Sequence, residues 1–293
     1  MSDVNNVNKA VIGLLHPGDM GAGIGQCLAA RGHEVLWASA GRGPDTAARA
    51  AAAGLADAGT VAALAARAQI IISVCPPHAA LDVAWAVHGF AGLYVDANAI
   101  SPGTAREVAR LICESGGRYV DGGIIGPPPG SARRSRLYLS GSDPGDTGVV
   151  AALFDGTPME TRMVGGSATA ASAVKMAYAA WTKGSSALLL AARALARAGG
   201  VERTLLAEWS LSQKALGQQS EGAANAAAAK GWRWVAEMEE IAASMAVAGL
   251  PSGFHEAAAD IFDRASRAET PATRRAPTTE PPSTLDSIMS ALM

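Results

Sequence analysis

The chain has 293 residues, 49% of them hydrophobic, and 24 Lys and Arg against 26 Asp and Glu give a net charge of −2. That size suits two ordinary domains with a substantial core, and the near-neutral charge without a long basic run leaves no case for nucleic acid or an anionic membrane as partner. Three cysteines (Cys27, Cys75, Cys113), an odd number without metal spacing, argue against a disulfide framework and read as buried thiols; residues 1–9 are polar and no apolar run reaches the ~18 residues of a membrane span, so a soluble, cytoplasmic protein without a bound metal is expected.

Residues 10–15 form a short apolar run. A glycine-punctuated turn follows, His16-Pro17-Gly18-Asp19-Met20-Gly21, then an alanine-rich helical stretch to Arg31 and a second apolar run over 34–38. This predicts a βαβ unit whose turn can seat a pyrophosphate, because N–H groups at a helix start point at the anion and Gly18 puts no side chain in the way. Gly21 lets the helix pack closely, and His16 stands where G-x-G-x-x-G has its first glycine. His16, Pro17, Gly18, Asp19 and Met20 are therefore candidate cofactor contacts. The second strand runs out through Ser39 and Arg42 with no acid to hold a ribose 2′-hydroxyl. Ser39 can donate to a 2′-phosphate and Arg42 can clamp it, which points to NADP(H).

Helices are expected over 44–53 and 60–68, with a short strand at 54–56 between them. Residues 69–75 are a continuous β-branched run, the mark of a strand covered on both faces in a parallel sheet, and Pro76-Pro77 stops it. Cys75, Pro76 and Pro77 thus fall where the chain should line a nicotinamide pocket. A helical segment at 79–87, a strand at 93–97, a helix capped by Ser101 with Pro102 at its first position, and strands at 118–126 and 136–141 complete a doubly wound α/β domain over residues 1–163. Asn98 follows a strand at the carboxyl edge, where open α/β sheets bind ligands, and its amide can serve substrate or cofactor or cap a turn. Gly122 and Gly123 can admit substrate to backbone N–H groups. Asp143, Asp146 and Asp155 are assigned to loops.

After Gly165 the strand signals end. Residues 171–198 predict one helix, about 40 Å long at ~1.5 Å per residue, that leaves the first domain and forms the spine of an all-α domain over 164–267. Further helices are expected at 202–213, 224–248 and 254–267, with breaks at Gly217, Gly231 and Leu250-Pro251. Residues 268–293, rich in Thr and Pro, read as a flexible tail ending in a weak apolar face of Leu285, Ile288, Met289 and Leu292.

A hydride leaves a carbinol carbon only as the hydroxyl proton is removed, and reduction returns that proton. Lys175 suits this role: charged, it polarises a carbonyl; neutral, it takes a proton. Its neighbours from 171 to 180 are nearly all small or apolar, as on a largely buried helix. Tyr178 lies one turn further on the same face and can relay a proton or orient substrate, and Lys183 lies two turns further along. Trp232 and Trp234, with Arg233, are candidates for a substrate-pocket wall or for domain packing.

Four segments in this order resemble the β-hydroxyacid dehydrogenase and 6-phosphogluconate dehydrogenase superfamily over residues 10–265. Gly18-Asp19-Met20-Gly21 is similar to its G-x-M-G turn, residues 96–102 to its substrate-binding D-x-S-T-x-S-P segment, Asp121-Gly122-Gly123 to D-A-P-V-S-G-G, and residues 175–178 to its catalytic-lysine helix. Residues 175–190 with 232–240 also resemble a less characterised actinobacterial-type branch. Asn98 replaces a substrate-binding serine of that pattern, Ala179 an asparagine, and the region of Glu239 a cofactor-contacting lysine. The resemblance implies NADP(H)-dependent hydride transfer on a small hydroxy or oxo acid or related carbonyl compound, with Lys175 as acid and base, in a homodimer paired through the helical domain. Imine reduction and non-catalytic cofactor sensing are the alternatives it leaves open.

Overall fold

The computed structural model describes residues 9–131, 134–268 and 283–293. The chain divides into two compact units, Met1–Met176 and Ala177–Met293. In the first, the apolar runs become parallel strands: β1 (Val11–Leu15), β2 (Glu34–Trp37), β3 (Ala56–Asp57), β4 (Ile70–Ser73), β5 (Leu93–Asp96) and β6 (Arg118–Ile125). Helices α1 (Asp19–Ala30), α2 (Pro44–Ala52), α3 (Val61–Arg67), α4 (Ala80–Trp85) and α5 (Pro102–Glu114) connect them, and a 3-10 turn, Pro77–Ala79, leads into α4. The sheet order is β3-β2-β1-β4-β5-β6-β7-β8, so the winding reverses between β1 and β4. This is the doubly wound arrangement read from the sequence.

Both sheet faces are covered, which is why β4 is continuously apolar. Ile12, Leu14, Val35, Ile70 and Ile72 face one core with α1; Leu36, Ile71 and Tyr94 face the other, with residues of α3, α4 and α5. Cys27 and Cys75 are buried as expected, but Cys113 is exposed. The inward face of α5 is taken by Ala105, Val108, Leu111 and Ile112, and residue 113 turns outward.

Beyond β6, β7 (Ser135–Gly141) returns antiparallel, α6 (Pro144–Leu153) follows, and β8 (Met159–Met163) pairs parallel with β7. Sequence reasoning missed α6 and β8. The loop assignment of Asp143 and Asp146 is corrected: Asp143 caps α6 by accepting the Gly145 N–H at 2.7 Å, and Asp146 lies buried within α6, paired with Arg118. β8 escaped because it is an edge strand whose Met-Glu-Thr-Arg-Met pattern is half exposed, with Arg162 paired to Glu160.

Helix α7 (Ala170–Ala198) starts in the first unit and continues into the second, where α8 (Glu202–Ser212), α9 (Leu216–Val247), α10 (Gly253–Arg267) and α11 (Thr284–Leu292) follow. The second unit is all-α, as read. The break expected at Gly217 falls just before it, at residues 213–215, so that α9 starts at Leu216 rather than at 224, and the break expected at Gly231 is corrected, since α9 runs through it. At Gly231 α10 comes close: a Cβ there would stand 3.2 Å from the Phe262 carbonyl oxygen. An ion cluster centred on buried Arg193 joins four of these helices. Arg193, 4% exposed, donates to Glu202 at 2.6 Å and to Ser220 at 2.7 Å, while Arg197 pairs with Glu202 and with Asp286 at 2.8 and 2.9 Å. Where the composition suggested a flexible tail, α11 buries Ile288 and Met289 completely; residues 269–282 lie outside the described residues. Among the described residues, no helix is long and apolar enough to cross a membrane.

Candidate active site

The strand register lines up Leu15, Ser73, Asp96 and Asp121 in one row at the carboxyl edge of β1, β4, β5 and β6. The residues that follow them, His16, Val74 and Cys75, Ala97 and Asn98, and Gly122 and Gly123, therefore border the crevice where such sheets hold ligands.

At the switch point, the turn after β1 is built as a phosphate cradle. No side chain caps α1, and a Cβ on Gly18 would meet nothing within 4 Å. Gly18 thus leaves open the approach to a helix start, whose first-turn N–H groups have no intrahelical partner and suit an anion. Gly21 is required for a different reason, because a Cβ there would stand 2.3 Å from the His16 carbonyl oxygen. His16 takes up the left-handed backbone of the missing glycine, with φ 69°, and no other non-glycine residue among those described has positive φ. Histidine is one of the few side chains that enters this region with some ease, at a cost of about 1 kcal/mol. Its Nε2 lies 2.5 Å from the Arg42 guanidinium, which has no acceptor, so the imidazole accepts there and carries its proton on Nδ1. Burial, with the Arg42 charge adding to it, pulls the His16 pKa down from 6.5 to about 4. The Nδ1 atom is buried without a partner, an orphaned donor that a ligand oxygen would satisfy.

Around this turn, Asp19 sits half exposed in the first turn of α1, 4.0 Å from Arg49, whose Nε reaches the Pro17 carbonyl at 3.4 Å. Met20 packs partly buried against the core. A cleft of about 270 Å³ opens beside the turn, lined by Leu14, Leu15, His16, Ala38, Arg42, Val61, Ala79, Asp82, Val83 and Ala86. The sequence reading missed its helical wall. Ala79, Val83 and Ala86 recur at helical spacing directly after β4, a signal that was available; Pro76 and Pro77 lie just before this wall. Asp57 was also missed. It takes the Ser39 and Gly59 N–H groups at 3.3 and 2.7 Å and the Ser39 hydroxyl, and these bonds hold its carboxyl below the usual range.

Asn98 does not offer its amide outward as expected. Its Oδ1 accepts the Cys75 N–H at 2.6 Å, its Nδ2 donates to Ser73 at 3.1 Å, and its own N–H goes to Asp96 at 2.9 Å. At 2% exposure it is a strut between the ends of β4 and β5. The neighbouring Cys75 thiol is pushed up to about 12 by burial and by the charge of Asp96, and is inert as a nucleophile.

Gly122 and Gly123 are filled by protein. A Cβ on Gly122 would meet the Asp96 carbonyl at 2.9 Å, and one on Gly123 would meet the Ala171 carbonyl at 2.6 Å and the Lys175 Cβ at 3.1 Å. The smallness of Gly123 lets the start of α7 lie on β6, with the Lys175 stem against the carboxyl end of that strand, while Gly122 gives room to the neighbouring β5. Asp121 fastens the same junction: it accepts the Ser172 N–H at 2.8 Å, the Ser172 hydroxyl at 2.5 Å and the Ser140 hydroxyl at 3.0 Å. Sequence reasoning singled out neither serine.

In the second unit Tyr178 is 45% exposed. Lys183 pairs with Glu237 and stands 5.5 Å over the ring of Trp234, which packs edge-on against Phe262 at 5.0 Å. Trp232 points elsewhere, half exposed beneath Arg233 at 4.9 Å. So Lys183 and Trp234 come together, without Trp232.

Residues 9–165, the whole sheet and its cradle, match the model described as the NAD binding domain of 6-phosphogluconate dehydrogenase. The chain belongs to that family. It is a Rossmann-fold, NAD(P)-binding oxidoreductase of the 6-phosphogluconate and 3-hydroxyacid dehydrogenase superfamily, an enzyme class that works on CH–OH and C=O groups. Residues 196–265 match a domain of unknown function, DUF1932. No curated protein matches the chain. Among solved structures, the conserved protein MTH1747 of unknown function, reported as similar to 3-hydroxyacid dehydrogenases, is 26% identical with a TM-score of 0.61, over 87% of this chain and 97% of that one. Mycobacterium tuberculosis 3-hydroxyisobutyrate dehydrogenase, solved with L-serine, is 19% identical at TM-score 0.66, over 96% and 99% of the two chains. A reductive aminase from Aspergillus terreus, in complex with NADPH and ethyl levulinate, is 22% identical at TM-score 0.53, over 89% and 94%. The last two share the fold.

Proposed function

We propose that this oxidoreductase uses NADP(H) and acts on a small hydroxy or oxo acid or related carbonyl compound, with Lys175 as general acid and base. The observation that carries the reading is the seat of Lys175, whose stem lies against Gly123 at the carboxyl edge of β6, in line with the open turn after β1. The uncapped start of α1 and the bare Gly18 fit a pyrophosphate, the apolar cleft fits an adenosine, and Arg42 fits a 2′-phosphate, while the Ser39 hydroxyl is given to Asp57 and does not serve the phosphate as first expected. A bound nicotinamide would give or take the hydride. Lys175 holds the proton at Nζ, passes it to the carbonyl oxygen during reduction, and in the other direction withdraws it from the hydroxyl. Asp121 and Ser172 keep the first turn of α7 fixed while the proton moves.

NADPH oxidation by wild type and K175A, against one panel of oxo acids and cyclic imines with cofactor binding measured alongside, tests this. Turnover of oxo substrates, with a loss of about 10²-fold or more in the variant and NADPH still bound, is expected. Turnover of imines alone, or an unaffected variant, overturns the lysine role; tight cofactor binding without any turnover would leave a sensor.

We also infer a homodimer. Tyr178, Trp181, Leu188 and Leu195, exposed by 45, 76, 55 and 76%, lie on α7 at spacings of three and seven and form an apolar stripe. Light scattering at micromolar concentration should give twice the chain mass, and a monomer would refute the pairing.

A further inference from the structure

His16 is an anomaly for the turn it occupies. Glycine would adopt its left-handed backbone without strain, and the chain uses glycine at the other positive-φ positions among the described residues. An imidazole there has a cost, so a compensating interaction is expected. The one it makes is with Arg42, 26 positions further along, at 2.5 Å.

Arg42 needs such a partner. It sits in an exposed stretch with Ala40, Gly41 and Gly43, and its own N–H returns only to the Ser39 carbonyl, at 3.0 Å. A free arginine side chain there would lose much of its rotamer freedom on binding an anion. The Nε2 acceptor removes part of that loss beforehand and leaves the other guanidinium donors for a ligand. Both residues line the same cleft, as does Asp82.

We propose that His16 is a positioning residue for cofactor choice: it preorganises Arg42 to receive the 2′-phosphate and so sets the preference for NADPH over NADH. This rests on the NADP(H) reading above. The burial that holds the imidazole neutral supports it, because a charged ring would repel the guanidinium and lose the acceptor.

The test is a double-mutant cycle read as the ratio of dissociation constants for NADH and NADPH, measured by fluorescence on the cofactor-free protein. H16G relieves the backbone strain and removes the acceptor; H16N keeps an acceptor on a residue that tolerates the same backbone. In the wild type the ratio favours NADPH. H16G should cut it about tenfold, H16N by no more than about threefold, and H16G added to R42A should change it less than twofold beyond R42A alone. An unchanged ratio in H16G, or an equal loss with and without Arg42, overturns the role of His16 while the NADP(H) reading stands. A wild type that binds NADH as well as NADPH overturns both.

Discussion

The carboxylate of Asp121 in β6 accepts both the backbone N–H and the hydroxyl of Ser172, at 2.8 and 2.5 Å, pinning the first turn of α7 to the sheet. Removing it leaves the Ser172 N–H and hydroxyl buried without an acceptor, while the Ser140 hydroxyl keeps the Ala168 carbonyl at 3.2 Å, so D121A should lower the unfolding free energy by about 3 kcal/mol in urea titrations. Burial raises the Asp121 carboxyl above its usual range, outweighing the bonds that lower it. The folded state therefore binds this proton more readily than the unfolded chain. The matching stability is complete below the unfolded value near 3.8 and fades as pH rises through the folded one. Wild type should consequently gain stability relative to D121N as pH falls toward 4, and a flat difference would contradict the assignment.

His16 titrates in the opposite sense. Its folded value, about 4 against 6.5 when unfolded, means that the folded state resists the proton, chiefly through burial and then through Arg42. That stability is present above 6.5 and lost as pH falls through 4; allowing for the exposed part of the ring, it amounts to roughly 2 kcal/mol. Thermal unfolding of wild type should drop more steeply than that of H16G between pH 6.5 and 4. Parallel curves would mean that the ring titrates normally.

For Asn98 the structure changes the expected phenotype. If the amide faced substrate, N98A would raise KM with little effect on stability. Because Oδ1 holds the Cys75 N–H and Nδ2 holds Ser73, truncation should instead cost about 2 to 3 kcal/mol of stability, seen as a lower urea midpoint. A stable N98A with a raised KM would restore the substrate role.

Much of this organisation was legible in the residues. Alternating apolar and helical segments, with the glycine turn first, fix a doubly wound domain because each segment declares its period and its stops. What stayed hidden depends on contacts between distant segments. That Gly123 accommodates a helix rather than a ligand requires knowing that Ala171 lies beside it, 48 positions along. The same holds for Asn98 and Ser73, and for Lys183 and Glu237, whose pairing is set by tertiary packing. β8 was missed for another reason: an edge strand needs only one buried face, and its charged residues hide the pattern.

Gly231 gives the sharpest case of a residue whose local propensity misleads. Read alone, a glycine among alanines weakens a helix by about 1 kcal/mol and suggests a break. In place, it lets α10 approach, with the Phe262 carbonyl 3.2 Å from where a Cβ would stand. Alanine would gain helix propensity and press slightly on that carbonyl, so G231A should lie within about 1 kcal/mol of wild type. Leucine has no room, and G231L should destabilise by about 2 to 3 kcal/mol as α10 is pushed from α9. Urea unfolding of the two variants separates the readings, since a helix break at this position would tolerate both substitutions equally.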